Sequence, residues 1–231
     1  MTKYTLHIGN KNYSSWSLRP WVLMRALSIP FTEQMHRFGD APDWTSYRKL
    51  SPNGRVPCLQ DGATVVWDSL AIAEYLAERH PGVWPADANA RTFARCVAAE
   101  MHSGFLALRD GCSMNCGIRM RLRETSSALA TDIARIDAIW SDGVNRFGGP
   151  LLAGRAFSAA DAFFSPVAFR VQTYGLKLGA VASNYCAALL ALPAMRSWYD
   201  DALHEPWRDA AHEKEILAAG SLLQDLRTPA A

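Results

Sequence analysis

Asp68 and Ser69 form the pair of residues whose position suggests chemistry most directly. They follow an apolar run that ends at Trp67 and precede a helical run that begins at Leu70. At a strand-to-helix junction, unpaired backbone N–H groups and the positive end of the helix dipole attract an anion such as an α-carboxylate. Because the Asp68 carboxylate could hold an α-ammonium beside it, the junction could bind the zwitterionic head of an amino acid. The alternative is that either residue acts only as the helix N-cap.

A cluster of three serines is the second candidate. Ser14, Ser15 and Ser17 lie where a polar loop passes into a helix, directly after the first strand. Proline is tolerated in the first turn of a helix and is costly further in. Pro20 therefore predicts a helix that begins near Ser17, or one that begins at Ser14 or Ser15 and kinks at Pro20. At least one of these serines is expected to cap the helix.

A hairpin leads into the Asp68 junction. Residues 51–54 have the composition of a turn, and residues 56–60 and 63–67 are short apolar runs. The two residues between these runs, Asp61 and Gly62, predict a two-residue turn with positive φ at both positions.

The order of elements predicts a thioredoxin-like unit over residues 1–82. Apolar and polar residues alternate over Tyr4–Ile8, which is typical of a strand with one buried face. The serine-capped helix follows, and residues 31–38 form a plausible second strand. With the hairpin and the helix over 70–80, the chain has the order βαβ followed by ββα.

The remainder of the chain, residues 88–231, predicts an all-helical second domain. Long helical patterns rich in Ala, Leu and Arg cover residues 88–108 and 118–147. Ser158 and Asp161 have the spacing of a capping box that opens another helix, so Asp161 is assigned to folding and not to catalysis.

Composition narrows the functional classes. The chain has 231 residues, 49% hydrophobic and 20% charged, and its net charge of +2 offers no basis for binding nucleic acid or an anionic membrane. The five cysteines show neither disulfide spacing nor metal spacing, and the start of the chain lacks the apolar region of a signal peptide. We expect a reduced, cytoplasmic protein without a metal.

The hairpin and its flanks resemble the glutathione-binding half of the glutathione transferase family. The resemblance implies that Arg55, Val56 and Pro57 contribute to the glutathione site. In that family, the proline matching Pro57 is cis and the backbone of the residue matching Val56 pairs with the peptide of glutathione. The pair matching Asp68 and Ser69 holds the γ-glutamyl end.

The segment Ser14-Ser15-Trp16-Ser17 resembles the active-site motif of the serine-type transferases. It is most similar to the zeta class and to bacterial proteins in which Asn-Tyr-Ser-Ser-Trp-Ser-Leu-Arg follows the first strand. The resemblance implies that one hydroxyl points at the glutathione sulfur, with Ser14 as first choice and Ser15 as the alternative. Zeta enzymes have Cys where this chain has Trp16, which weighs against maleylacetoacetate isomerase activity. The absence of cysteine here also weighs against thiol exchange.

The residues that would bind the second substrate, the electrophile, are less strongly indicated. In the family, the first long helix faces the glutathione site and lines the pocket for the electrophile, and Asn115 falls near a ligand-contacting position of zeta enzymes. Met and Phe at helical spacing are also typical of a core. The candidate residues are Trp16, Met101, Phe105, Met114 and Asn115.

The resemblance implies a homodimeric detoxification enzyme that uses glutathione as co-substrate. A serine hydroxyl would activate the glutathione thiolate for attack on a small hydrophobic electrophile. The alternatives are a glutathione-dependent peroxidase or isomerase, and a non-catalytic carrier on the same fold, because fold does not fix function.

Overall fold

The N-terminal part of the chain is a four-stranded sheet with helices, in the thioredoxin-like order. The structure is a computed structural model and describes residues 4–39 and 47–230. The strands follow the order β2-β1-β3-β4, in which β1 pairs with β2 in parallel and with β3 in antiparallel fashion. The elements are β1 (Tyr4–Ile8), α1 (Ser15–Ala26), β2 (Phe31–Met35), β3 (Cys58–Asp61), β4 (Thr64–Val66) and α2 (Ser69–Ala77).

The hairpin turn lies one residue later than the sequence predicted. Asp61 pairs with Thr64, so the turn residues are Gly62 and Ala63 and not Asp61 and Gly62. Gly62 has φ of 60°, and Ala63 is not among the residues with positive φ. A glycine at the first central position is what a type II′ turn requires, and that turn matches the twist of the two strands.

Helix α1 begins at Ser15, with Ser14 at the N-cap position, and it continues past Pro20 to Ala26. Of the two predicted starts, the earlier one is correct. Most apolar residues of α1 are buried, because the helix packs against both the sheet and the C-terminal helices. Trp21 meets Trp198 at a ring-centroid distance of 5.1 Å.

The C-terminal part is largely helical but includes two strands. The long helical pattern predicted over 118–147 is wrong at its start, where residues 118–122 form a strand. Apolar and arginine residues alternate there, a period of two that buries Ile118 and Met120. The elements are α3 (Ala88–Ser103), α4 (Leu106–Gly111), β5 (Ile118–Leu122), α5 (Ser127–Phe147), α6 (Ala159–Tyr174), α7 (Ala180–Leu190), α8 (Pro193–His204), α9 (Ala210–Ala219) and β6 (Gly220–Asp225).

Strand β6 pairs with β5 in antiparallel register. The sequence predicted only a short helix and a frayed tail after α8. Helix α9, which precedes β6, contacts the N-terminal part directly, since Glu213 accepts the hydroxyl of Tyr13. In the described part of the chain, no helix combines the length and apolar character needed to span a membrane.

The capping box at the start of α6 is confirmed. Ser158 N–H donates to Asp161 Oδ2 at 2.9 Å, and Leu152 N–H donates to Asp161 Oδ1 at 3.0 Å. Tyr185 donates its hydroxyl to the same oxygen. Asp161 is fully buried and all of its contacts are internal, which agrees with a role in folding.

The loop between β1 and α1 is anchored to the end of α8. Glu205 accepts the backbone N–H of Lys11 at 2.6 Å and that of Asn12 at 3.2 Å. Lys11 also forms ion pairs with Glu33 at 2.9 Å and with Asp201 at 2.7 Å. A C-terminal residue therefore fixes the loop that leads into the serine cluster.

Candidate active site

The serine cluster is the N-terminus of α1 and is almost buried. Ser14 is 5% exposed and Ser15 is 7% exposed. Ser14 Oγ lies 2.7 Å from Ser17 Oγ, which also accepts the N–H of Gly9 at 3.1 Å. In this bond Ser14 donates and Ser17 accepts. Because both are hydroxyls, Ser17 can donate to Ser14 instead when Ser14 turns its proton to a ligand.

A pocket of about 240 Å³ lies at the serine cluster. Five of the predicted site residues line it, namely Ser14, Ser15, Trp16, Val56 and Met114. The other lining residues were not predicted, and they come from distant parts of the chain: Tyr13, Phe38, Arg109, Ser113, Arg170, His212 and Glu215.

The segment before β3 brings backbone to the pocket. Val56 is half-buried, and the peptide bond between Val56 and Pro57 is cis. Pro57 is buried behind it. Arg55 is exposed, and its N–H donates to Asn53 Oδ1 at 3.0 Å, which shapes the turn.

Asp68 caps helix α2, as the simpler of its two interpretations predicted. Its Oδ1 accepts the N–H of Leu70 at 3.0 Å, while Oδ2 lies 3.4 Å from His102 Nε2. Burial lowers the pKa of His102, although the charge of Asp68 acts in the opposite direction, so the imidazole is neutral at pH 7. Because the Asp68 side chain is 46% exposed, its carboxylate can still meet a ligand from solvent.

Ser69 is fully buried beside an arginine that the sequence reasoning missed. Arg19 Nη1 donates to Ser69 Oγ at 3.5 Å, while Arg19 Nε and Nη2 have no hydrogen-bond partner among the described residues. Burial lowers the pKa of Arg19 strongly, and the charges of Arg109 and Arg170 add to this. The available signal was a charged residue inside the apolar run Leu18-Arg19-Pro20-Trp21 of α1.

Trp16 connects the Asp68 junction to the pocket. Its ring lies 4.1 Å from the guanidinium carbon of Arg19 and 4.9 Å from that of Arg109. The ring of His102 meets it edge-on at 5.3 Å. The two candidate sites of the sequence are therefore neighbours that share one aromatic side chain.

Three predicted second-substrate residues lie in the core and do not line the pocket. Met101 is 1% exposed and Phe105 is 7% exposed. Asn115 is fully buried, where its Nδ2 donates to Glu213 Oε1 at 3.3 Å and its carbonyl accepts the hydroxyl of Thr173 at 2.6 Å. Their positions match the core interpretation of Met and Phe at helical spacing.

Helix α9 forms a wall of the pocket. The His212 ring stacks on Tyr13 at 5.0 Å and on Phe38 at 5.1 Å. Glu213 accepts the hydroxyl of Tyr13 at 2.6 Å and pairs with Arg227 at 2.5 Å. Burial, together with the Glu213 carboxylate, raises the pKa of Tyr13, so its phenol stays protonated.

The N-terminal half of this site matches a known family model. Residues 13–79 match the model described as glutathione S-transferase, N-terminal domain. Over these residues the chain is similar to the glutathione S-transferase family. The match covers the serine cluster, Val56 and the Asp68 junction, whereas Arg109, Arg170 and α9 lie outside it.

The chain is only distantly similar to the curated proteins that it matches. It is 26% identical over 62% of its length to a probable chloroplastic glutathione S-transferase of Oryza sativa subsp. japonica. It is 32% identical over 42% of its length to a probable maleylacetoacetate isomerase of Caenorhabditis elegans. These alignments cover 47% and 49% of the two relatives, so the chain spans about half the length of each.

The transferase fold extends over most of the chain. A glutathione transferase homologue of Burkholderia gl BGR1, solved with bound glutathione, superposes with a TM-score of 0.63 at 21% identity. The superposition covers 86% of this chain and 97% of the homologue.

The five cysteines of the chain do not line the pocket. All five are free, and four of them are buried. Burial raises the pKa of Cys112 to about 11, so its thiol is protonated and unreactive at neutral pH. Among the described residues, no group of three His, Cys, Asp or Glu side chains could hold a metal ion.

Proposed function

We propose that the protein is a glutathione transferase in which Ser14 stabilises the thiolate of glutathione. The observation that supports this is the Ser14 hydroxyl at the N-terminus of α1, facing a pocket that Val56 also lines. The thiol loses its proton to solvent. The thiolate then forms a carbon–sulfur bond with an electrophile, and the leaving group departs with its electron pair or, in an addition, the product takes up a proton.

Glutathione would lie along the N-terminal domain. Its γ-glutamyl carboxylate would meet the first N–H groups of α2 at Ser69, and its ammonium would meet Asp68 Oδ2. The Val56 backbone would pair with its peptide, while Arg55 and Pro57 shape the segment that presents it. The glutathione bound in the homologue of the same fold supports this co-substrate.

Trp16, Met114 and Phe38 give the pocket apolar surface for the body of a small electrophile. The aromatic rings supply area for dispersion and the exclusion of water. The detoxification role expected from the family is a consequence of this proposal, because addition of glutathione makes an apolar electrophile water-soluble.

The energy available from Ser14 matches the task. A free thiol has a pKa of about 8.5, and lowering it by about two units needs about 2.7 kcal/mol. A hydrogen bond to a charged acceptor contributes about 1.5–3 kcal/mol, and a helix N-terminus adds about 0.3–1 kcal/mol. Together they suffice without a general base.

The test is a pH titration of the ultraviolet thiolate absorbance of bound glutathione. In Ser14→Ala the pKa of the bound thiol should rise by about one to two units, because the hydrogen bond from Ser14 to the thiolate is lost. Glutathione affinity at pH 9 should be nearly unchanged, because the thiol ionises there without help.

Ser15→Ala is the matched control, since both hydroxyls line the pocket and Ser15 has no side-chain hydrogen bond among the described residues. A shift in this variant alone would transfer the role to Ser15. Curves that coincide in all three proteins would contradict activation by serine.

We also propose that the protein is a two-fold symmetric homodimer, on the basis of its family. Light scattering at micromolar concentration measures the mass, and a monomer would contradict the proposal.

A further inference from the structure

Two guanidinium groups line the same pocket as Ser14 and Ser15. Arg109 belongs to α4 and Arg170 to α6, so separate helices bring them together. Arg170 is only 4% exposed. Charged side chains at such burial are normally paired with opposite charge, so the partners of these two arginines decide what the pocket can bind.

One side of each guanidinium is fixed by backbone carbonyls. Arg170 Nε donates to the carbonyl of Cys112 at 2.7 Å, and its Nη1 donates to that of Pro166 at 3.2 Å. Arg109 Nε donates to the carbonyl of Gly104 at 3.0 Å, and its Nη2 donates to that of Met101. These bonds hold both planes in place but bring no negative charge.

The other side of each guanidinium lacks an acceptor. Within residues 4–39 and 47–230, neither Arg109 Nη1 nor Arg170 Nη2 makes a hydrogen bond, and neither arginine forms an ion pair. The carboxylate that lines the pocket is Glu215, which is exposed and accepts the hydroxyl of Ser113 at 3.2 Å.

The electrostatics show that this positive charge is poorly compensated. Burial lowers the pKa of Arg170 to about 10, and the charge of Arg109 acts in the same direction. Burial also lowers the pKa of Arg109, against the attraction of Asp110 and Asp132. Both groups remain cations at neutral pH, so an anion placed between them would relieve the cost of their burial.

We propose that the electrophile of this enzyme carries a compact anionic group, of which a carboxylate is the simplest, and that Arg109 and Arg170 bind it. The proposal rests on the transferase activity proposed above and names the substrate class of the same pocket. The apolar body of the electrophile would lie against Trp16 and Met114, while the arginines select for charge. Preformed guanidinium groups suit a carboxylate, because their nitrogens match its two oxygens.

The test compares two electrophiles that differ in one charge, para-fluoro-meta-nitrobenzoate and its methyl ester. In both, the glutathione thiolate forms a bond to the ring carbon and fluoride leaves with the electron pair of the broken carbon–fluorine bond. Each kcat/KM is divided by the uncatalysed rate with glutathione, so that the intrinsic reactivities cancel. We expect the benzoate to be favoured over the ester by about tenfold or more, as a charge-assisted contact allows.

The variants are Arg109→Gln and Arg170→Met, with the exposed Arg121→Gln as the control for lost positive charge. The preference for the benzoate should fall by about tenfold in the first two and stay unchanged in the control. Because the ratio is measured within each protein, partial loss of folded protein does not affect it. In the unaltered enzyme, meta-nitrobenzoate should inhibit competitively against the electrophile and not against glutathione, a measurement that needs no variant.

The outcomes separate this proposal from the proposed activity. An unchanged preference in both variants, or inhibition that competes with glutathione instead, would overturn the electrophile assignment while the transferase activity stands. If the enzyme turned over neither compound, quenching of tryptophan fluorescence by meta-nitrobenzoate would decide. Quenching that is lost in Arg109→Gln would support the anion site without transferase activity, and no quenching would overturn the site.

Discussion

The Asp68 junction and the arginine pair present charge to two neighbouring sites, but the chain builds them in different ways. Asp68 and Ser69 are adjacent, and a single strand-to-helix transition fixes their geometry. Arg109 and Arg170 come from two helices that meet only after the whole C-terminal part has packed. A site made by local geometry can be recognised in a sequence, whereas a site made by tertiary packing has no local pattern.

The variant with the largest expected effect tests whether the loop between β1 and α1 keeps its shape without its C-terminal contact. Glu205→Ala removes the acceptor of the backbone N–H groups of Lys11 and Asn12, which are buried. Leaving such donors unpaired should reduce the free energy of unfolding by about 3 kcal/mol, measured by urea denaturation.

Glu124→Ala is the control for this change, because Glu124 is exposed and should cost almost nothing. Equal stability of the two variants would mean that the serine loop holds its shape without α8. The N-terminal part of the site would then depend on local geometry alone, unlike the arginine pair.

A variant with an intermediate expected effect tests the Asp68 junction by itself. Asp68→Asn keeps a side-chain oxygen for the N-cap but loses the charge proposed to meet the ammonium of glutathione. Because the side chain is half-exposed, solvent screening limits the loss to about 1 kcal/mol, so KM for glutathione should rise by about fivefold with kcat nearly unchanged. Steady-state kinetics with varied glutathione measures both constants, and a loss confined to kcat would refute the assigned role.

The smallest effect concerns the wall formed by α9. Burial alone would raise the pKa of Glu213, but the hydrogen bonds from Arg227 and Tyr13 outweigh it and hold the pKa below its ordinary value. The folded-state pKa is thus below the unfolded one. The stabilisation is therefore present above pH of about 4.5 and is lost as the pH falls through the folded-state pKa.

The measurement for Glu213 is the difference in urea midpoint between the unaltered protein and Glu213→Gln. We expect a difference of no more than about 1 kcal/mol at pH 7 that shrinks as the pH is lowered from about 5 to 3. A difference that is constant over this range would show that the Glu213 charge contributes nothing to holding the wall.

The sequence predicted the elements that local residue patterns determine. It did not predict the strands that form only by pairing with a distant segment. The helix caps at Asp68 and Ser158 follow from residue type and position, whereas Ser14 occupies the N-cap position of α1 without a side-chain hydrogen bond to the helix. The strand at Ile118–Leu122 carries an alternating pattern, but it is short and lies next to a strong helical run. Its partner Gly220–Asp225 is mostly exposed, so hydrophobic periodicity gave little signal there. The domain boundary between residues 82 and 88 and the roles of the site residues stay predictions.

The sequence also did not indicate Arg19 as a site residue, for a different reason. A charged residue within an apolar helical run looks like an interruption of the core, and nothing in the sequence says that its guanidinium lies against Trp16 and Phe163. The contacts that make its burial tolerable come from α1 itself and from α6. Only the packed structure places it beside Ser69.

The anchoring of the serine loop by Glu205 also bears on the order in which the parts of the pocket form during synthesis. The contact joins Lys11 to a residue 194 positions later, so the ribosome produces the serine loop long before its anchor exists. Domains generally fold from the N-terminus as they emerge, and contacts between distant residues form late. The nascent thioredoxin-like half should therefore adopt its sheet early, while its serine loop becomes fixed only once α8 has been made and has docked.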